Sequence, residues 1–220
     1  MKLSAPRIHP LTESEWTPAQ RAILEPIKGH EPFYNVMATL CRHVDAAERF
    51  RVWAMHVMGQ TSTIGARERE ILILRVGWLC DAEYEWGQHV IFGRKAGLSE
   101  AEIARIKEGA EAPGWSAFDA ALLRAADELH HDSCISNVTW AALAGRYDDK
   151  QMMDVIFAVG QYHLVSMALN SLGVQLDEGV GQQPDRSGTV RFAAGRLTAQ
   201  SQRQLHRAAR SMQFRYRRAV

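Results

Sequence analysis

The sequence predicts an all-α protein. Apolar residues recur at spacings of three and four, as in Phe50, Trp53 and Val57, which is the period of one helix face. Runs that alternate apolar and polar residues between turn signals, the pattern of strands, are missing from the sequence. The length of 220 residues suits one domain with a sizeable core and a tail.

The first helices can be assigned from caps and spacing. Thr17 can cap a helix that has Pro18 at its first position, and Gly29 ends that region. Segments 34–43 and 46–60 carry apolar residues on one face and predict a second and a third helix.

The middle of the chain predicts a central helix pair. Segment 66–80 is charged in its first turn and almost continuously apolar afterwards, which is typical of a helix buried on most sides. A second helix follows over about 82–96, and Gly97 is its expected left-handed stop. Ser99 and Glu102 then form a capping box that begins a short helix.

Three more helices are expected after the break at Pro113 and Gly114. They are predicted within segments 116–132, 136–147 and 149–173. No motif repeats with a fixed period, so a repeat array is not indicated.

Charge divides the chain into a body and a tail. Residues 181–220 contain nine Arg, no Lys and one acid, which gives +8 and leaves −7 for residues 1–180 within the net charge of +1. We therefore predict a helical domain over 1–180 and a basic, disordered or loosely helical tail over 181–220. The acidic body makes nucleic acid an unlikely partner, except for non-specific binding through the tail.

Composition predicts a cytoplasmic protein. Hydrophobic residues make up 46% and charged residues 23%, without a membrane-length apolar run or a secretory signal. Three widely spaced cysteines do not suggest a disulfide framework and fit a reducing compartment.

A candidate acid/base site lies on the helix over 82–96. Glu85 and His89 are four residues apart and therefore share a helix face, with Tyr84 and Trp86 beside them. A carboxylate next to an imidazole suits proton transfer, while the alternative is an ordinary ion pair on the helix surface.

Glu70 is a carboxylate on an otherwise apolar helix face. Its neighbours at three, four and seven residues are Ile73, Leu74 and Gly77. It therefore either has a buried partner or profits from its place near the helix N-terminus.

These residues resemble a known superfamily. Four features are similar to the carboxymuconolactone decarboxylase and alkyl hydroperoxidase D superfamily: Glu70, His89 with eighteen residues between the two, the Tyr-Glu-Trp before the histidine and the Gly-Leu-Ser after the helix. In the hydroperoxidase pattern two cysteines precede the histidine, and they fall on Ala82 and Glu85 of this sequence. Because both thiols are missing, the resemblance is to the decarboxylase-like branch, and dithiol peroxidase chemistry is not expected.

The resemblance implies a fold, an assembly and a reaction. The fold is the helical bundle of the alkyl hydroperoxidase D-like proteins, assembled as a trimer or hexamer. The reaction is a cofactor-independent lyase reaction on a small carboxylated or lactone-type cyclic substrate from aromatic-compound breakdown. In this interpretation His89 moves the proton, Glu85 orients His89, and Glu70 is a second carboxylate in the relay.

Further residues are weaker candidates. Tyr84 and Trp86 would line the substrate site, Arg75 and Arg94 could bind a substrate carboxylate or be structural, and His163 could approach the site. No metal site is predicted, because adjacent His130 and His131 diverge by about 100° on a helix and a third ligand is not evident. The alternatives to a lyase are a hydroperoxide reductase and a non-catalytic oligomeric binding protein.

Overall fold

The computed structural model describes residues 3–28, 34–177 and 180–181, and over these ranges the chain is helical without strands. Two 3-10 turns, Glu13–Glu15 and Glu25–Ile27, accompany the α-helices. The α-helices are α1 (Pro18–Leu24), α2 (Tyr34–Leu40), α3 (Val44–Met58), α4 (Ala66–Leu79), α5 (Glu83–Lys95), α6 (Glu100–Ile106), α7 (Ala117–Asp132), α8 (Asn137–Ala144) and α9 (Asp149–Leu172). The predicted all-α class is confirmed.

Local sequence signals set the helix ends. The Thr17 and Ser99 side chains accept hydrogen bonds from backbone N–H groups in the first turns of α1 and α6, as predicted. Gly97 and Gly173 follow α5 and α9 with φ of +95° and +71°, the left-handed conformation that glycine adopts without strain. Gly29, the predicted end of the first helical region, lies outside the described residues.

Helix α4 is the centre of the bundle. It packs against α5, α7 and α9, and its apolar run from Ile71 to Leu74 is fully buried. A helix that is apolar on most sides must find neighbours on most sides, so the position of α4 follows from its composition. Helix α5 packs beside it and completes the predicted central pair.

Helix α9 combines a core face with an exposed apolar face. Among the described helices it is the one long and apolar enough to span a membrane, and 56% of its most apolar stretch is buried. Its contacts with α3, α4, α5 and α7 account for that apolar character as part of the bundle core. Leu164 and Met167 are exposed on its outer side, and Val52 and Met55 are exposed on α3.

The chain after α9 folds back onto α5. Asp177 is buried and accepts hydrogen bonds from the Tyr84 hydroxyl (2.5 Å) and from Gln88 Nε2 (3.0 Å). A Cβ at Gly87 would lie 2.6 Å from the Gly181 carbonyl oxygen, so glycine permits this close approach. Beyond Gly181, the predicted basic tail lies outside the described residues.

Candidate active site

The α4–α5 hairpin brings Glu70 and His89 together. The two helices are joined by a tight turn in which Asp81 has φ of +51°, and they pack closely along their length. Glu70 lies in α4, before this turn, and His89 lies in α5, after it. Because the two helices run antiparallel, the two residues come to lie side by side. Two residues that are nineteen positions apart in the sequence are therefore in direct contact.

His89 bridges two carboxylates. Its Nδ1 lies 2.7 Å from Glu70 Oε2, and its Nε2 lies 2.8 Å from Glu85 Oε1. Both contacts are within hydrogen-bonding distance, and both ring nitrogens can donate at once only if the imidazole is protonated. The geometry therefore favours an imidazolium cation held between two carboxylates.

The three side chains are almost completely removed from solvent. His89 and Glu70 are each 2% exposed, and Glu85 is 4% exposed. Burial by itself lowers the pKa of His89, but the adjacent Glu70 and Glu85 outweigh it and raise that pKa to about 10. The surface ion pair considered for Glu85 and His89 is thus wrong, because both groups lie inside the bundle.

Aromatic rings enclose the imidazole. Tyr162 of α9 meets His89 edge to face at a centroid distance of 4.8 Å, and Phe92 lies at 5.4 Å. Burial, together with the charges of Glu85 and Glu70, raises the pKa of Tyr162 well above its ordinary value, so its hydroxyl stays protonated. Tyr162 was not among the predicted site residues, because a tyrosine on an apolar helix face reads as packing until α9 is placed against α5.

The two candidate arginines have carboxylate partners of their own. Arg75 is buried, with Nε 2.6 Å from Asp127 Oδ1, and its Nη1 donates to the carbonyls of Ile106 and Lys107. Arg94 lies at the surface, where Nε is 2.5 Å from Glu100 Oε1. These contacts agree with structural roles for both, the alternative that their sequence positions left open.

Tyr84 and Trp86 are buried on α5 but turn to other partners. The Tyr84 hydroxyl donates to Asp177, and burial and that carboxylate both raise the pKa of Tyr84. The Trp86 ring packs against Trp78 at a centroid distance of 5.7 Å. Both side chains pack on other parts of the bundle around α5, and their described contacts do not include the His89 ring.

His163 belongs to a different cluster. Its Nε2 lies 2.8 Å from His130 Nδ1, and Cys80 offers its thiol to the same point between α4, α7 and α9. The nearby Cys134 is not part of this cluster, because its thiol is exposed and contacts the Ile135 carbonyl. The true neighbours come from helices far apart in the chain, which local spacing does not reveal.

Neither of two described cavities is lined by Glu70, Glu85 or His89. The larger, of about 640 Å³, lies between α2, α3 and α9, has mostly apolar walls and includes Trp53 and Gln161. The smaller, of about 260 Å³, lies near Tyr84 and the segment after α9. Because His89 is only 2% exposed, a substrate could reach its ring only if side chains around it moved.

The thiols needed for peroxidase chemistry are missing from this site. Ala82 is fully buried at the N-cap of α5, and Glu85 contacts His89. Cys41, Cys80 and Cys134 are all free cysteines. A dithiol at the spacing of the hydroperoxidase pattern is therefore replaced by an apolar and an acidic residue.

Comparison with known proteins supports the predicted family. The carboxymuconolactone decarboxylase family model matches residues 45–128, which run from α3 through most of α7 and contain Glu70, Glu85 and His89. No curated protein sequence matches the chain at a significant level.

Solved structures confirm the fold. A peroxidase-related protein from Silicibacter sp. aligns with a TM-score of 0.69 at 13% identity, covering 81% of this chain and 96% of its own. An alkylhydroperoxidase AhpD core protein from Ralstonia eutropha gives 0.67 at 16%, covering 79% and 95%. A debrominase solved with 2,3,4-tribromopyrrole gives 0.61 at 12%, covering 80% and 94%. At these identities the likeness establishes the AhpD-like helical fold.

Proposed function

We propose that the protein is a cofactor-independent lyase, because residues 45–128 match the carboxymuconolactone decarboxylase family model and the fold is AhpD-like. Its substrate would be a small carboxylated or lactone-type cyclic compound, and it would act in the cytoplasm. One observation carries the proposal: the buried His89 ring lies between Glu70 and Glu85, with each ring nitrogen within hydrogen-bonding distance of a carboxylate.

A buried imidazolium is suited to donate a proton to carbon. When a carboxylate leaves as carbon dioxide, the electron pair of the broken bond stays on the substrate and is delocalised into an adjacent carbonyl. His89 would give its proton to the resulting carbanionic carbon and recover one from solvent. With a pKa of about 10, His89 is protonated at neutral pH and acts as the acid rather than the base.

The two carboxylates would have different effects on this acid. Glu85 is on the same helix and reaches Nε2, while Glu70 is on the preceding helix and reaches Nδ1. Both carboxylates would fix the orientation of the His89 ring and stabilise its positive charge. To protonate the substrate, one ring nitrogen would have to release its hydrogen bond to a carboxylate and point its N–H at the substrate carbon. The enclosing Tyr162 and Phe92 rings would exclude water from that step.

Assembly into a trimer or hexamer is part of the proposal. The exposed apolar side chains on α3 and α9, Val52, Met55, Leu164 and Met167, offer a surface that a partner subunit would cover. Light scattering should show a multiple of the 24.7 kDa chain, and a monomer at micromolar concentration would contradict this.

A non-catalytic binding function is the second candidate. It is favoured by the enclosure of His89 and by the separate apolar cavity of about 640 Å³, a volume that suits a small ligand. In that case Glu70, His89 and Glu85 would be a structural ion cluster. The hydroperoxide reductase alternative lacks such an observation, since Ala82 and Glu85 stand where its thiols would be.

A substrate screen distinguishes the candidates. Purified protein is offered lactones and carboxylated cyclic acids, and loss of ultraviolet absorbance is recorded for the unchanged protein and for Glu85→Gln and His89→Gln. A lyase should lose roughly 10²- to 10⁴-fold in rate when proton transfer is removed.

A cavity-filling variant serves as the matched control. Ala168→Phe narrows the large cavity at a residue that is not among the described contacts of His89, so it should block ligand binding there and spare lyase turnover. Full turnover in His89→Gln would refute the acid role, and binding without turnover that Ala168→Phe abolishes would favour the binding protein.

A further inference from the structure

A second cluster of ligand-type side chains lies where three helices meet. Cys80 caps the C-terminal end of α4, His130 lies in the last turn of α7, and His163 lies in the middle of α9. One potential ligand atom from each lies within 4.8 Å of the others. We propose that Cys80, His130 and His163 bind a divalent transition-metal ion, with Zn²⁺ as the expected ion.

The spacing fits this ion after a small adjustment. Zinc bonds of about 2.0–2.1 Å to nitrogen and 2.3 Å to sulfur place tetrahedral ligand atoms roughly 3.3–3.6 Å apart. The present separations, from 2.8 Å between His130 Nδ1 and His163 Nε2 up to 4.8 Å, reach that geometry by side-chain shifts of about one ångström. A cysteine and two histidines form the nitrogen and sulfur set that zinc prefers.

The hydrogen bonds of His163 prepare it as a ligand. Its Nδ1 lies 2.8 Å from the Val159 carbonyl oxygen and can only donate there, so in the neutral ring Nε2 carries the lone pair. Histidines that bind metals typically donate their other nitrogen to a backbone carbonyl in this way. That lone pair now accepts the proton of His130 Nδ1, and the ion would take the place of this proton.

Local charge also favours a cation at this point. Cys80 and His130 lie at the carboxyl-terminal ends of α4 and α7, where the helix dipoles place partial negative charge.

The proton balance of binding is defined. The Cys80 thiol releases one proton and binds as the thiolate, while the His130 proton moves from Nδ1 to Nε2, so one proton leaves per ion bound. Three protein ligands leave a fourth position for water or a small anion, the arrangement of reactive rather than purely structural zinc sites. This site is distinct from Glu70, Glu85 and His89, and the inference does not rest on the proposed lyase function.

Metal titration of the full-length, untagged chain tests the site. After treatment with a chelator, Zn²⁺ binding is measured by calorimetry, and Co²⁺ is added separately as a spectroscopic probe. We expect one ion per chain, release of one proton, and a near-ultraviolet thiolate-to-cobalt charge-transfer band. Absence of Zn²⁺ binding, or Co²⁺ binding without that band, would overturn the proposal.

The chain offers matched controls for each ligand type. Cys80→Ser and His163→Asn should each weaken Zn²⁺ binding by at least roughly 100-fold. Losing a group that only hydrogen-bonds to a metal ligand already costs up to about 100-fold in affinity, and these variants remove a ligand itself. Cys134→Ser and His131→Gln alter the exposed cysteine and the adjacent histidine and should retain the affinity of the unchanged protein. Circular dichroism of the metal-free variants confirms that each is folded; equal losses in the control and ligand variants would refute the assignment.

Discussion

Two histidine clusters lie on neighbouring parts of α9, and they have opposite electrostatic characters. His89 packs against Tyr162 of α9 and contacts two carboxylates. His130 contacts His163, the residue after Tyr162 on α9, and its described hydrogen bonds include no carboxylate. Burial lowers the pKa of both. In the first cluster Glu70 and Glu85 outweigh burial and raise the pKa of His89 to about 10. In the second cluster the pKa of His130 stays below its ordinary value.

The contrast shows that partners, and not burial, decide what a core histidine does. A histidine held as a cation can donate a proton, and a histidine held neutral can bind a metal ion. One helical bundle thus provides two different chemistries within a short stretch of α9. The following variants test that division, from the largest expected effect to the smallest.

Removing the cation from the first cluster should cause the largest loss. His89→Gln leaves Glu70 and Glu85 buried without their positive partner, which typically costs about 3–5 kcal/mol of unfolding free energy. His163→Gln removes neutral hydrogen bonds and should cost about 1 kcal/mol for each bond lost. Urea denaturation of both variants at pH 7 measures the difference, and equal losses would show that the two clusters are alike.

The pH dependence of stability should have opposite signs in the two clusters. The folded pKa of His89, about 10, exceeds its ordinary value of 6.5, so its contribution to the unfolding free energy is complete below pH 6.5 and disappears as the pH rises through 10. The folded pKa of His130 is lowered, so its contribution is present above pH 6.5 and is lost as the pH falls below that value.

The measurement is the stability difference between the unchanged protein and each single variant across pH 5–10. The difference in unfolding free energy between the unchanged protein and His89→Gln should shrink by up to about 1.4 kcal/mol per pH unit above neutrality. The reason is that folding of the unchanged protein is linked to one bound proton on His89. The difference for His130→Gln should change only on the acidic side. A flat difference for His89→Gln would mean that its pKa is not raised.

Removing one carboxylate should have a smaller effect. Glu85→Gln keeps a hydrogen-bonding side chain and leaves the His89–Glu70 contact in place, so we expect a loss of about 1–2 kcal/mol. Glu100→Gln is the matched control, because its pair with Arg94 is exposed and such pairs contribute about 0–1 kcal/mol. A larger loss in Glu100→Gln than in Glu85→Gln, measured by urea denaturation, would contradict the special weight given to the buried cluster.

Sequence periodicity predicted the all-α class and the helices, while the AhpD-like arrangement of those helices was implied by the family resemblance. The helices follow from apolar spacing, and their ends follow from Thr17, Ser99, Gly97 and Gly173, which act through local hydrogen bonds and backbone conformation. The central position of α4 follows because a helix apolar on most sides needs neighbours there. These signals are local, so they can be read without knowing the packing.

The site could be predicted only in part. Glu85 and His89 are neighbours by helix geometry, and Glu70 was identified because a carboxylate on an apolar face needs a partner. Tyr162 and the Cys80 cluster were missed because they depend on how distant helices pack. Because Gln is similar in size to His, the sequence alone would suggest that His89→Gln leaves the fold intact. The structure shows that His89 contacts two buried carboxylates, so this substitution should lower the free energy of unfolding.

The most direct test is the protonation state of His89 itself. In protein labelled with nitrogen-15 at histidine, long-range ring couplings report whether each nitrogen carries a proton, and His89→Gln identifies the His89 signals by their loss. We predict that His89 is doubly protonated at pH 8 and remains so until the pH approaches 10, while His130 is neutral at pH 8. A His89 ring that is neutral at pH 8 and titrates near 6.5 would contradict the buried cation on which the proposed function rests.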